Sequence, residues 1–406
     1  MDVAVCDGHI VSISSSLPRE GYEVFFLENC YLVPGFVDVH VHLREPGFNY
    51  KETVKSGTKA AVAGGYTTVF TMANLNPVPD SVEHLQVQLD AIKKDGIVEV
   101  IPYGAITVGE QGEVLADLED MAPYVGGFSD DGRGVQDENM MKSAMFTAKK
   151  LGKPIVAHCE VNALLKKGGC IHDGEFAAQN GFVGISNESE WGQVKRDIDL
   201  IRETGCQYHV CHVSTKESVE LVRQAKAEGL PVTCETGPHY LVMTDMDIKD
   251  EGRFKMNPPI RSKADQDALI AGLLDGTVDV IATDHAPHSA EEKSKGLVGS
   301  AFGIVGLETA FQILYTKLVQ TGVFTLEFLI EKMAVRPREI FGLPQALTLG
   351  APADFTVLDL SKTSTINPET FQSMGKSTPF TGWKVASQVV KTVKNGEIVY
   401  DWSETC

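Results

Sequence analysis

The chain has 406 residues, of which 43% are hydrophobic and 22% charged, so it can bury a large core. Its net charge of −19, without any Lys/Arg-rich run, argues against nucleic acid as a main partner. The sequence also predicts no membrane span and no secretion signal, because no apolar stretch reaches the required length and the first residues lack the signal pattern.

Short apolar runs alternate with amphipathic stretches from about residue 33 to residue 340. Stretches such as ENMMKSAMFTAKKLG have helical spacing and close with glycine. The apolar runs occupy residues 36–43, 66–72, 98–106, 125–131, 153–160, 206–214, 230–236 and 278–288. Apolar runs that alternate with helices are typical of a parallel sheet covered on both faces. About eight such units predict the α/β fold of a TIM-type (β/α)8 barrel.

The two ends of the chain have a different pattern. Residues 2–31 and 345–402 show strand alternation and turn pairs such as Asn395-Gly396. We expect them to pair into one small β-module that is formed from both chain termini. The predicted division is 1–32 for the N-terminal part of this module, 33–343 for the barrel and 344–406 for its C-terminal part.

Ligand-type side chains stand at the ends of successive apolar runs. The carboxyl ends of barrel strands meet at one mouth, so residues far apart in sequence can share a site. His40 and His42 are two residues apart on a predicted strand and therefore face the same way. Further candidates are Asp130, Asp131, His158, His209, His212, Asp284 and His285. Imidazoles and carboxylates suit zinc, manganese, cobalt or iron, and their number predicts a site for two ions.

Strand spacing leaves two choices open. Only one of Asp130 and Asp131 is expected to point inward, and only one of His209 and His212 is expected to reach the metals. Residues 286–300 form a long polar segment, for which a mobile lid and a solvated surface loop are equally good interpretations.

Several other polar or reactive residues have less support as metal ligands. Asp38 is as good a candidate for a hydrogen-bonding residue at the base of a strand as for a catalytic one. His172 and His239 have no spacing that supports metal ligation and are predicted to be structural, loop or substrate-side residues. The cysteines are Cys6, Cys30, Cys159, Cys170, Cys206, Cys211, Cys234 and Cys406. They are scattered without Cys-x-x-Cys pairs, which predicts reduced thiols in a cytoplasmic protein. Cys159 and Cys211 neighbour predicted ligands, so along a strand they are expected to face away from the metals.

The segment VPGFVDVHVHLREPG at residues 33–47 resembles the signature of the amidohydrolase superfamily. Its Arg-Glu-Pro-Gly continuation is similar to that of the dihydroorotase family. Further segments of this likeness are SGTKAAVAGGYTTVFTMAN, FSDDG, IVAHCE, HVCHVST, FKMNPPIR, ATDHAPH and FGIVGLE. The resemblance covers residues 33–310, and it places the start of the chain at the second strand of the family's N-terminal module.

The resemblance implies a centre of two zinc ions. The implied ligands are His40, His42, Asp131, His158, His212 and Asp284. Asp131 stands where many amidohydrolases carry a carboxylated lysine that bridges the metals. Asp284 is implied as the catalytic general acid and base, acting with a metal-bound hydroxide. The implied substrate-binding residues are Arg44, Asn74, Asn257, His288 and Gly303.

The implied reaction interconverts N-carbamoyl-L-aspartate and (S)-dihydroorotate plus water in pyrimidine (UMP) biosynthesis. Hydantoinase or dihydropyrimidinase, and allantoinase, are the nearest alternatives. Arg44 and the lysine-free FSDDG segment argue against them, because hydantoinases generally use the bridging lysine and need no carboxylate clamp. A catalytically inactive scaffold for aspartate transcarbamoylase is the third alternative. The implied partners are a small-molecule substrate, further copies of the chain in a homo-oligomer, and aspartate transcarbamoylase.

Overall fold

The computed structural model describes residues 1–404, so Cys406, the last of the predicted thiols, lies outside the described residues. The seven other cysteines are free thiols. Within the described part of the chain, no helix combines the length and the apolar character that crossing a membrane requires.

Strands and helices alternate along most of the chain. The strands are β1 Asp2–Cys6, β2 His9–Ser14, β3 Tyr31–Pro34, β4 Phe36–Val41, β5 Tyr66–Thr71, β6 Glu99–Pro102, β7 Ile155–Ala157, β8 Ile171–His172, β9 Gly184–Ile185, β10 Tyr208–Val210, β11 Val232–Thr236, β12 Val280–Ile281, β13 Phe355–Thr365, β14 Lys384–Lys394 and β15 Glu397–Asp401. The α-helices are α1 Val54–Ala63, α2 Val82–Asp95, α3 Leu118–Met121, α4 Glu138–Leu151, α5 Glu175–Asn180, α6 Asn187–Thr204, α7 Lys216–Ala227, α8 Pro238–Val242, α9 Lys263–Leu274, α10 Ala290–Lys293, α11 Gly296–Gly299, α12 Ala310–Leu314, α13 Leu326–Ile330 and α14 Arg336–Ile340. Two π-helical turns, Tyr315–Val319 and Glu331–Val335, continue α12 and α13.

The central strands lie in two parallel sheets. One has the order β4-β5-β6 and the other the order β12-β11-β10-β7. Every residue of β4 and β5 is buried, which explains why these strands read as continuous apolar runs. Parallel bridges connect β6 to β7 through Phe128, and Val41 pairs with His285 after β12. Parallel pairing therefore passes from β4 through both sheets and returns to β4.

The predicted apolar run at residues 125–131 does not form a strand. It still pairs in parallel with its neighbours, through the isolated bridges of Phe128 and through the hydrogen bonds of the Gly126 N–H to Pro102 and of the Phe128 N–H to Pro154. The backbone also approaches its neighbours closely at Gly126 and Gly127, where a Cβ atom would lie 2.7 Å from the Phe70 ring and 2.8 Å from the Pro154 carbonyl oxygen. Glycine inside a strand pattern is typical of such a close backbone approach and weakens the regular strand.

The helices begin and end where the sequence signals predict. The predicted helix ENMMKSAMFTAKKLG is α4. It begins after Asp137, whose carboxylate accepts the backbone N–H of Met140, and ends at Gly152 with φ +66°. Its buried face, which includes Met141 and Met145, packs in the main hydrophobic core.

An antiparallel sheet joins residues from both ends of the chain. Its strand order is β15-β14-β13-β3, and β1 and β2 form a separate hairpin. The Ile10 N–H donates to the Ala351 carbonyl at 3.0 Å, which ties this hairpin to the segment before β13. The alternation at residues 22–30 does not become a strand. Pairing of β3 with β13 stops at Tyr31 and Leu358 and does not extend to the residues before Tyr31.

Candidate metal centre

Six side chains at the ends of the central strands converge in one buried cluster. They form two groups, within each of which the ligand atoms lie within 4.8 Å of one another. One group is His40, His42 and Asp284, and the other is Asp131, His158 and His212. The structure thus brings together the six residues that the sequence predicts as metal ligands.

The backbone turns sharply at two of these positions. His212 has φ +34° and Asp284 has φ +47°, in the left-handed region that residues other than glycine rarely adopt. His212 lies two residues beyond the end of β10, and Asp284 lies three residues beyond the end of β12. Such local strain is concentrated at functional sites, where the surrounding structure holds it in place.

The structure decides between His209 and His212. His209 lies within β10, and its ring contacts the Thr233 hydroxyl at 2.8 Å and the Glu235 carboxylate at 3.1 Å. His212 lies beyond the end of the strand, and its Nε2 is 3.0 Å from Nδ1 of His158. His212 is therefore in the cluster, and His209 stands behind it.

The choice between Asp130 and Asp131 is equally clear. The Asp130 carboxylate accepts the backbone N–H groups of Ile106 and Thr107 at 2.7 Å and 3.1 Å, so it holds a neighbouring loop. Asp131 Oδ1 instead lies 3.5 Å from His40 Nε2 and 3.6 Å from His212 Nε2. Asp131 therefore stands between the two ligand groups.

The prediction that Cys211 faces away from the metal ligands is wrong. Its Sγ atom lies within 4.8 Å of ligand atoms of His40 and Asp131. Strand alternation ends at Val210, and the left-handed turn at His212 removes the geometry on which the prediction rested. Burial raises the pKa of the Cys211 thiol well above its usual value, so it is a protonated neighbour of the cluster.

The other polar residues considered in the sequence analysis lie outside the two ligand groups. Asp38 accepts the backbone N–H of His40 at 3.1 Å, and burial raises its pKa to about 7. His172 lies 2.9 Å from the Asp245 carboxylate. His239 is buried, and burial lowers its pKa to about 4. These residues shape the surroundings of the cluster without joining either ligand group.

Glu235, which the sequence analysis missed, lies directly behind the ligands. Its carboxylate is 2.6 Å from His40 Nδ1 and accepts the backbone N–H of His212 at 3.1 Å. Burial alone would raise the pKa of Glu235, but the His40 and His209 rings hold it well below its usual range. A single glutamate inside the apolar run LPVTCET is the signal that could have revealed it.

Replacing Glu235 with glutamine is expected to weaken zinc binding by about 10- to 100-fold. The carboxylate fixes the His40 ring so that Nε2 faces the cluster, and a neutral amide would orient the ring less strongly. Competition with a chromogenic chelator measures the affinity. Glu228→Gln, which alters a glutamate on the surface, is the matched control. Equal zinc affinity in wild type and Glu235→Gln would contradict this role.

The buried atoms of the cluster fit a divalent metal. His40 Nε2 and Asp131 Oδ1 are buried side-chain atoms without a hydrogen-bond partner, and they lie 3.5 Å apart. Leaving such atoms unpaired is costly, and a cation between them would satisfy both. Burial would raise the pKa of Asp131, but the His40 ring and its neighbours hold it well below its usual value. Histidine nitrogens with carboxylate oxygens form a donor set that suits zinc.

A cavity of about 240 Å³ opens onto these ligands. Five of the six predicted ligands, all except His40, border it directly together with Gly132, Ala286 and Phe302. The predicted substrate-binding residues also line it, namely Arg44, Asn74, Asn257, His288 and Gly303. The ligand cluster and the predicted substrate residues therefore form one site of a size that suits a small molecule.

Arg44 and His288 form one wall of this cavity. Arg44 adopts φ +62°, its Nε donates to the Pro287 carbonyl at 3.3 Å, and its Nη2 lies 3.5 Å from His288 Nε2. His288 Nε2 also lies 2.7 Å from the Phe302 carbonyl, and Lys51 Nζ contacts its Nδ1 at 3.2 Å. Burial, Arg44 and Lys51 lower the pKa of His288 to about 3, so its ring is neutral at working pH.

Of the two asparagines that line the cavity, one contacts a predicted ligand and the other contacts Glu160, which lies beside a predicted ligand. Asn74 Oδ1 accepts from His42 Nδ1 at 2.9 Å. Asn257 Nδ2 donates to Glu160 at 3.1 Å, and the other Glu160 oxygen is 3.6 Å from His158 Nε2. Glu160 is a second residue that the sequence analysis missed, although it is the last residue of the recognised IVAHCE segment.

The architecture is similar to that of solved cyclic-amide hydrolases. The L-hydantoinase (dihydropyrimidinase) from Arthrobacter aurescens is 26% identical with a TM-score of 0.86, covering 98% of this chain and 92% of that protein. A dihydropyrimidinase from Brevibacillus agri is 22% identical with a TM-score of 0.85, covering 98% of this chain and 91% of that one. The fold and the ligand cluster together define a protein of the amidohydrolase class.

Sequence comparison narrows this class further. The Dihydro-orotase-like family matches residues 30–218. A dihydroorotase from Fusobacterium nucleatum is 51% identical over 98% of this chain and 94% of that protein. One from Brevibacillus brevis is also 51% identical, over 98% and 95% respectively. The chain belongs to the dihydroorotase family.

Proposed function

We propose that this chain catalyses the reversible ring closure of N-carbamoyl-L-aspartate to (S)-dihydroorotate and water, a step of pyrimidine biosynthesis. The observation that supports this proposal most strongly is Arg44, which is buried and lines the cavity. In addition, about half of the residues of the chain are identical to those of a known dihydroorotase. A planar guanidinium pairs with a carboxylate through two parallel hydrogen bonds. Dihydroorotate carries such a carboxylate, and hydantoin and allantoin do not.

We further propose that the site holds two zinc ions. His40, His42 and Asp284 would hold one, and His158 and His212 would hold the other. The position of Asp131 between the two groups supports a bridging role for its carboxylate. Zinc in such a site supplies a nucleophilic water near neutral pH and polarises the carbonyl under attack.

The residues of the chain then have separate tasks in the hydrolytic direction. Arg44 and Asn74 hold the substrate carboxylate so that the ring amide faces the ligand cluster. Asp284 accepts the proton of the attacking water and delivers it to the leaving amide nitrogen. Burial would raise the pKa of Asp284, but the His40 and His42 rings lower it, so the carboxylate is ready to accept that proton. In the direction of ring closure the same carboxylate must first be protonated.

The decisive experiment compares three substrates on the purified, zinc-loaded chain. Dihydroorotate, hydantoin and allantoin are assayed in parallel for ring opening. Turnover of dihydroorotate alone is the expected result. Turnover of hydantoin in its place would show that Arg44 does not select a carboxylate. No turnover of any substrate, with zinc bound, would reject an enzyme that is active without a partner.

Arg44→Met is expected to lower kcat/KM for dihydroorotate by about 100-fold, because the substrate carboxylate then enters a buried wall without its counter-charge. The zinc content should not change, since Arg44 is not in either ligand group. Steady-state kinetics and metal analysis measure the two quantities. Arg223→Met, which alters a surface arginine, is the matched control. An unchanged kcat/KM would contradict the clamp.

The wider architecture belongs to the same proposal. The circuit of parallel pairing supports a closed (β/α)8 barrel at residues 33–343, and the pairing of β3 with β13 supports a module formed from residues 1–32 and 344–406. We propose a cytoplasmic homo-oligomer that can associate with aspartate transcarbamoylase. Light scattering of the chain, alone and mixed with that enzyme, tests both assemblies.

A further inference from the structure

Segment 286–303 is folded onto the cavity rather than lying loose in solvent. It contains α10 and α11, and it buries Leu297 completely. Lys293, the last residue of α10, is 8% exposed although its neighbours Glu291 and Lys295 are exposed. A lysine buried to this degree is uncommon and needs partners for its ammonium.

The partners of Lys293 are three backbone carbonyl groups. Its Nζ donates to the Lys255 carbonyl at 2.9 Å, the Ala301 carbonyl at 2.8 Å and the Gly303 carbonyl at 2.6 Å. A lysine ammonium has three N–H donors and no acceptor, so all its donors are used. The side chain thus connects α10 with two other segments of the cavity wall.

Both of those segments carry residues of the cavity. Lys255 stands two residues before Asn257, and Gly303 itself lines the cavity. The Gly303 N–H donates to the same Lys255 carbonyl at 3.1 Å. The Lys255 side chain returns to the segment, since its Nζ donates to the Val298 carbonyl at 3.0 Å and lies 4.4 Å from the Phe302 ring centroid.

The backbone at Gly303 leaves little room for movement. Gly303 has φ +132°, and a Cβ atom there would lie 2.6 Å from the Ala286 carbonyl oxygen and 3.0 Å from the His288 ring. A small shift of this segment would therefore displace the neighbouring His288. Displacements of about an ångström in a binding wall are sufficient to impair substrate positioning.

We propose that Lys293 is a positioning residue, whose ammonium holds the Asn257, His288 and Gly303 side of the cavity in the geometry that binds substrate. The proposal rests on the proposed function. Lys293 does not face the reacting atoms, so it acts on substrate binding through these three residues and not on the proton transfer.

The number of N–H donors on the Lys293 side chain determines how substrate binding should depend on pH. Burial and the Lys255 ammonium lower the pKa of Lys293 to about 7, while Glu292 raises it. The Lys293 charge also helps to lower the pKa of His288, whose ring is neutral at working pH. Below pH 7 the ammonium serves three carbonyls, whereas above pH 7 a neutral amine can serve only two. Substrate binding is therefore expected to weaken as the pH rises through about 7.

The test compares wild type, Lys293→Met and Lys295→Met as full-length, zinc-loaded chains. Lys295→Met removes the same charge from an exposed site two residues away. We expect Lys293→Met to raise KM for dihydroorotate by about tenfold or more, with kcat and zinc content nearly unchanged. Lys295→Met should match wild type.

A pH series from 6 to 9 provides the second readout. KM of wild type should rise above pH 7, and this inflection should be absent in Lys293→Met. Unchanged KM in Lys293→Met, or a fall in kcat without a rise in KM, would overturn the proposal. If Lys293→Met does not fold, a flat KM profile of wild type would overturn it and an inflection near pH 7 would support it. Loss of turnover in wild type and Lys295→Met alike would instead reject the proposed function.

Discussion

Replacing Asp284 with asparagine is expected to lower kcat for dihydroorotate hydrolysis by about 10³-fold. Asp284 Oδ1 lies 3.0 Å from His42 Nε2 and 3.5 Å from His40 Nε2, and the residue borders the cavity. Asparagine keeps an oxygen that can bind a metal but cannot accept and deliver the proton. The zinc content should therefore stay near normal while turnover is lost. Initial-rate assays and metal analysis on the same preparation measure both.

Asp267→Asn is the matched control for this change, because Asp267 is an exposed aspartate paired with Lys263. It should leave kcat at the wild-type level. Activity of Asp284→Asn within tenfold of wild type would exclude Asp284 as the proton carrier. A parallel loss of zinc and activity would assign it a role as ligand alone.

Removing the metal is expected to abolish turnover, with a loss of more than about 10³-fold that zinc reverses. Both ligand groups are buried, and without a cation His40 Nε2 and Asp131 Oδ1 have no hydrogen-bond partner. Folding stability should change as well, because an ion present at about 1,000 times its Kd stabilises the native state by about 4 kcal/mol. Activity and Tm after chelation and after addition of zinc measure the two effects.

Magnesium is the matched control for this experiment. It prefers an octahedral shell of oxygen ligands, whereas the two groups contain four histidines. It should restore neither activity nor Tm. Full activity after exhaustive chelation would contradict a metal-dependent reaction.

Strand periodicity is a local property, and it is sufficient to predict which segments carry the clustered side chains, whereas the choice of Asp131 and His212 came from the family resemblance. His40 and His42 face one way on β4, and the apolar runs place the other ligands at strand ends. The role of Glu235 depends instead on a contact between neighbouring strands, and that of Glu160 on Asn257, which lies far away in the chain. Glu235 is far from His40 in the chain, and only the pairing of β10 with β11 brings it behind the cluster.

Local backbone departures explain the errors. The Cys211 prediction assumed continued alternation, which ends before the left-handed turn at His212. The alternation at residues 22–30 is a genuine strand pattern, but the pairing with β13 ends at Tyr31 and does not continue into these residues. The run at 125–131 pairs with its neighbours through single bridges instead of a regular strand, and the backbone comes close to them at Gly126 and Gly127. In each case the local structure depends on the backbone conformation or the strand pairing of nearby residues, which a short sequence pattern does not reveal.

The pairing of β3 with β13 also has a consequence for synthesis on the ribosome. Tyr31 emerges early, whereas its partner Leu358 emerges only after most of the chain has been translated. At about 5–20 residues per second, β3 then waits on the order of tens of seconds with an unpaired edge. A chain that terminates before residue 355 never acquires this partner. Premature stop codons late in the gene are therefore expected to yield aggregating polypeptides, even where every ligand of the metal centre has already been translated.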